Sequence, residues 1–83
     1  MTTIDAVRAF IVNNFYVPET IALTDDTSLL ELGIVDSTGI LEVTSFLESE
    51  YGIEIADDEI IPANMDSIQA IAAFVETKAV RAA

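Results

Sequence analysis

The chain of 83 residues contains no cysteine and no histidine. Without cysteine it has no disulfide, no thiolate metal site and no thiol nucleophile, and the redox compartment is left open. Without histidine it lacks the side chain most often used for acid–base work near neutral pH, which is also the commonest metal ligand. Basic residues are scarce as well. Lys and Arg number 3 against 15 Asp and Glu, a formal net charge of -12, and none lies between Arg8 and Lys78. Such a surface repels nucleic acid and anionic membrane and speeds encounter with partners that carry basic patches. Long apolar runs are also missing: the longest, AIAAFV at 70–75, falls far short of the ~18 residues of a membrane span. The N-terminus has no basic region followed by an apolar one, so the expectation is a cytoplasmic protein with no membrane span.

What is present is enough apolar surface to fold. The hydrophobic fraction of 52% excludes a disordered acidic tail, and the length predicts a single domain over 1–83, which buries only about 60% of its unfolded surface. Three segments repeat the apolar spacing i, i+3, i+7, i+11 of one helix face: Ile4, Val7, Ile11, Phe15; Ile40, Val43, Leu47, Tyr51; and Ile68, Ile71, Val75, Ala79. Thr2 or Thr3 is the expected cap of the first and Asp36 of the second, which Gly52 ends. Asp66 is the expected cap of the third, with Gln69 completing a capping box. A long connection joins the first two helices, with a turn expected from Ser28 to Glu31 that buries Leu29, Leu30 and Leu32. DDEII at 57–61 is expected to form another short turn ended by Pro62. No β pattern of useful length occurs. The fold class is therefore all-α, a small bundle of three main helices plus a short one, with a long first loop.

The acidic clusters at Asp25-Asp26 and at Asp57-Asp58-Glu59 lack the central glycine and spaced ligands of a calcium loop, and read as solvated loops. No phosphate-binding glycine loop, zinc site or catalytic triad is present, and so small a domain has little room for an enzyme's concave pocket. No catalytic residue is assigned.

Two Asp-Ser pairs open amphipathic patterns, and they differ. At Asp66-Ser67 a capping box accounts for both residues. At Asp36-Ser37 the residue three past the Asp is Gly39, which supplies no reciprocal cap and costs about 0.8–1 kcal/mol against Ala inside a helix. Glycine there removes a side chain beside Ser37, which suggests room for a bulky group or a partner backbone. Ser37 also stands at the positive end of a helix, where a phosphate on its hydroxyl would be stabilised.

These residues carry a resemblance. GIVDSTGILEV at 33–43, the following FLESEYGIEI, the acidic DDEI turn and the closing amphipathic helix are together similar to the acyl carrier protein family across nearly the whole chain. The family pattern is an apolar residue, Asp-Ser, a short spacer and an apolar-Glu pair, here Val35, Asp36, Ser37 and Leu41-Glu42. The resemblance implies a covalent 4'-phosphopantetheine arm on Ser37, flanked by Asp36, and no such role for Ser67. A chain with neither Cys nor His cannot activate its own serine, so a separate phosphopantetheinyl transferase must supply the base. At 100° per residue, Ile40, Val43, Thr44, Leu47 and Tyr51 face the core while Leu41 and Glu48 turn about a quarter revolution away. Glu42 and Glu48 match the family's acidic docking positions, which makes Thr38, Leu41, Glu42 and Glu48 the expected docking residues.

Most fatty-acid carriers place Leu or Met where this chain has Thr38, and often an acid where it has Gly39. Asp-Ser-x-Gly and Tyr-Gly-Ile-Glu-Ile are instead similar to freestanding carriers of the D-alanyl type. The expectation is a monomeric acyl or aminoacyl carrier, loaded by an adenylating ligase and serving acyl-transfer enzymes with basic docking patches. Two alternatives stay open: a carrier of ordinary fatty-acid synthesis, and an unmodified acidic helical module that binds a basic partner by charge.

Overall fold

The structure, a computed structural model, describes the backbone of residues 2–82 and the side chains of 2–79. Helix α1 spans Thr3–Asn14, α2 Ser37–Tyr51, α3 Pro62–Met65 and α4 Ile68–Ala82, with a single 3-10 turn at Asp57–Glu59. Among the described residues there is no strand, and the expected bundle of three main helices and a short one is what forms.

Helix starts and stops follow local chemistry. The Thr2 hydroxyl accepts the Asp5 N–H at 3.1 Å and the Asp5 carboxylate accepts the Thr2 N–H at 3.2 Å, a reciprocal cap on α1. That Thr2 N–H bond is the main reason the Asp5 carboxyl titrates below its ordinary value. Helix α2 stops at Gly52, whose φ of 65° permits the left-handed turn while its N–H reaches the Glu48 carbonyl at 3.0 Å.

The buried face of each long helix is the one the spacing predicts: Val7 and Ile11 on α1, Val43 and Leu47 on α2, Ile68, Ile71 and Val75 on α4. Ile4, Phe15, Ile40 and Tyr51 pack at the margins. The α4 stripe ends one turn early, since Ala79 is exposed. In the long loop Leu29 is fully buried, but Leu30 is only partly so and Leu32 is 48% exposed. The Ser28 turn is too short to bury all three leucines.

Two boundary expectations fail. Pro62 does not end a turn but opens α3, where its missing N–H costs nothing at the first helical position. Asp66 does not cap α4. Ser67 does, its hydroxyl accepting the Ala70 N–H at 3.0 Å, while the Gln69 N–H goes to the Asp25 carbonyl at 2.8 Å. The Asp66 carboxylate instead crosses to the first loop, accepting the Ser28 hydroxyl at 2.8 and 2.9 Å and the Leu30 N–H at 2.9 Å. The Asp66 carbonyl also accepts the Leu29 N–H at 2.7 Å. Arg8 pins the same loop from α1, donating to the Leu23 carbonyl at 2.7 Å and to the Asp25 carboxylate. The loop is long but tied at both ends.

Asp66→Ala should therefore lower stability by about 1 kcal/mol, the usual net worth of such bonds in a half-buried setting. The measurement is the urea midpoint, which should fall with m unchanged. An unmoved midpoint would show that solvent replaces the carboxylate without loss.

Candidate functional site

The head of α2 is set by the residues before it. Ile34 and Val35 are both buried, and their N–H groups donate to the Leu29 carbonyl at 3.0 and 3.2 Å. This anchors the chain up to Val35 and leaves Asp36, Ser37 and Thr38 exposed. Of the N–H groups that a helix start leaves without intrahelical partners, the Asp36 carboxylate takes that of Gly39 at 2.6 Å. Those of Ser37 and Thr38 have no acceptor within the helix and lie at the positive end of its dipole.

The five serines divide by surroundings. Ser28 and Ser67 are half-buried and hydrogen-bonded, Ser28 to Asp66 and Ser67 to the Ala70 N–H. Ser45 and Ser49 are exposed but lie inside α2, past its first turn. Ser37 is the exposed serine at a helix head.

Gly39 has a different reason from the one its sequence position suggested. It is buried, and a Cβ added there would stand 2.7 Å from the Phe15 ring and 3.3 Å from both the Asp36 carboxylate and the Val35 side chain. The space beside Gly39 is filled by an aromatic ring from the end of α1. The glycine serves internal packing and opens no approach for a partner. The long-range signal was Phe15, whose place on the α1 stripe says that it is buried but not against what.

Thr38, Leu41 and Glu42 come together on one wall of an open groove of about 570 Å³ between α1 and α2, together with Phe10, Asn14, Phe46 and Glu50. Leu41 is 57% exposed. Phe10 stacks on Phe46 with ring centroids 4.2 Å apart, and Phe15 and Tyr51 extend the series edge-on at 6.1 and 6.5 Å. Glu48 is not part of this groove: its carboxylate accepts the Ile55 N–H at 3.0 Å and braces the chain leaving α2. The sequence reading missed Phe10 and Phe46. Each follows a stripe residue by three, Val7 and Val43, and so widens the apolar face toward the neighbouring helix. Both described cations are paired, Arg8 with Asp25 and Lys78 with Glu59, which leaves the α2 surface acidic. No group of acidic residues among those described is arranged to hold a metal ion.

Residues 5–75 match the family model described as a phosphopantetheine attachment site. The chain belongs to the acyl carrier protein family, whose members carry 4'-phosphopantetheine on a serine and are carriers, not catalysts. It is 41% identical over 54 residues to a protein of Serratia sp. (strain ATCC 39006) described as "Probable acyl carrier protein PigG", the match covering 65% of this chain and 62% of that relative's length. Members of the family work with phosphopantetheinyl transferases and acyl-handling enzymes. No described helix is long and apolar enough to cross a membrane.

The head of α2 fits a phosphodiester. Two N–H groups without helical acceptors and the dipole's positive end supply the donors, while the Asp36 carboxylate is committed to Gly39.

Proposed function

We infer that Ser37 is the attachment serine and that the domain, 1–83, is a freestanding cytoplasmic monomer specialised for an amino acid or short acyl group. The observation that carries the site is the exposed hydroxyl at the head of α2, beside free backbone donors. In the attachment step the Ser37 Oγ forms the new phosphodiester bond, its proton passes to a base on the transferase, and the nucleotide part of coenzyme A leaves. The chain has no histidine to take that proton. The bound group supplies a thiol that holds cargo as a thioester.

Beside the attachment serine the cargo reading now rests on Thr38, since Gly39 is explained by Phe15. A polar side chain beside the attachment serine offers a fatty-acid synthase no apolar contact. The holo protein should accept cargo from an adenylating ligase encoded near it, with ATP and a free amino or short carboxylic acid, and should be a poor substrate for malonyl loading and elongation. Efficient elongation without loading by any such ligase would overturn the specialised reading. Thr38, Leu41 and Glu42 form the docking face on this reading, with Glu48 as a flanking charge. Glu42→Lys should then slow association with the ligase several-fold at low salt, and the difference should shrink as salt rises. Equal on-rates for variant and wild type would remove Glu42 from that face.

A further inference from the structure

We propose that the groove between α1 and α2 is the resting site of an aminoacyl cargo, with an apolar side chain laid against Phe10 and Phe46 and the cargo's free ammonium facing Glu50. The proposal rests on the reading that Ser37 carries the arm.

Three observations carry it. The groove begins at Thr38, the residue after Ser37, and continues along α2 to Ser49 and Glu50. At 1.5 Å of rise per residue, Thr38 to Ser49 is about 16 Å, a run that suits an arm built of two amide-linked segments and a thioethyl end. The groove's far end is amphipathic. The stacked Phe10 and Phe46 rings offer an apolar floor and wall, while Ser49 and Glu50 supply polar groups beyond them. The charge has one sign: the groove is lined by Glu42 and Glu50, and the two described cations are paired elsewhere, with Asp25 and Glu59.

That combination selects among cargoes. An aminoacyl thioester presents an apolar side chain and a cation on the same carbon, which match the rings and the carboxylate together. A malonyl group brings a carboxylate into an acidic groove and is repelled. A long alkyl chain exceeds the apolar stretch and leaves the polar groups without partners. The arm's amides find hydrogen-bonding side chains along the way in Thr38 and Ser45. The same wall contains Leu41 and Glu42, so a loading or accepting enzyme that covers them would displace the cargo as it docks.

The test uses the full chain, modified by a phosphopantetheinyl transferase from coenzyme A analogues that carry a leucyl or a malonyl group through a hydrolysis-resistant amide. Intact mass and peptide mapping confirm one addition at Ser37. NMR then reads position: the leucyl form should show NOEs from its methyl groups to the Phe10 and Phe46 rings and shift changes at Ser49 and Glu50. The malonyl form should perturb only residues near Ser37. Glu50→Gln should weaken the far-end shift changes of the leucyl form at least twofold, with the mass gain and fold unaltered. Leucyl perturbations confined to the first turn of α2, or falling on exposed apolar residues outside the groove such as Leu32 and Ile61, would overturn the groove while leaving the attachment reading intact. Addition at a serine other than Ser37 would overturn both.

Discussion

Ser37→Ala should abolish the mass gain that the protein shows when treated with coenzyme A and a phosphopantetheinyl transferase, whereas Ser28→Ala and Ser67→Ala should retain it. The effect is all-or-none, because the substitution removes the oxygen that forms the bond. Ser28 and Ser67 are half-buried and held by hydrogen bonds to Asp66 and to the Ala70 N–H. Their hydroxyls cannot reach a transferase without breaking a loop-to-helix contact in the one case and the α4 cap in the other. Folding is controlled within the same experiment. Ser37 is the first residue of α2 and not its cap, a task done by Asp36, so its loss should move stability by no more than about 0.5 kcal/mol. Modification that persists in a folded Ser37→Ala protein would end the assignment and send attention to Ser45 and Ser49, the remaining exposed serines.

The second large effect concerns Gly39. Helix propensity alone predicts that replacing this glycine stabilises α2 by up to about 1 kcal/mol. Packing predicts the reverse, since even a Cβ would lie 2.7 Å from the Phe15 ring, and overpacking a filled site costs about 1–3 kcal/mol. Phe15 is itself held edge-on against Phe10 at a centroid distance of 6.1 Å, so its ring does not swing aside freely. Packing should win for a branched side chain: Gly39→Val is expected to destabilise by roughly 2 kcal/mol. In a Phe15→Ala background the same substitution should cost little, a coupling of at least about 1 kcal/mol. Additive losses in the double-mutant cycle would show that Phe15 is not what excludes the side chain.

These two residues mark where the sequence was legible and where it was not. The three long helices could be read because each has an apolar face at helical spacing and a polar cap before it. Asp36 and Ser37 could be found because a helix head is a local pattern. Gly39 stands out in the sequence by its cost in a helix, but the cause is out of local reach, because its partner is 24 positions away (39 − 15) and nothing in the local pattern names it. Asp66 fails in the same manner: as a local signal it caps α4, but Ser67 does so equally well, and the free carboxylate finds Ser28 across the bundle. The groove was invisible because it needs two helices. Phe10 and Phe46 lie 36 positions apart (46 − 10), and the stripe on each helix says only that they border a buried face.

The contact between Phe15 and Gly39 bears on how such domains can be recombined. The segment GIVDSTGILEV looks like a cassette that could be moved between carriers to change which enzymes accept them. In this chain the cassette is completed by a ring from outside it. A chimera that imports the segment into a host with a smaller residue at the end of α1 would leave a void under the helix head. One that exports a host's bulkier residue to position 39 would collide with Phe15. The unit that transfers intact is the segment together with the last turn of α1, and swaps that respect this pairing should keep their fold where shorter grafts lose it.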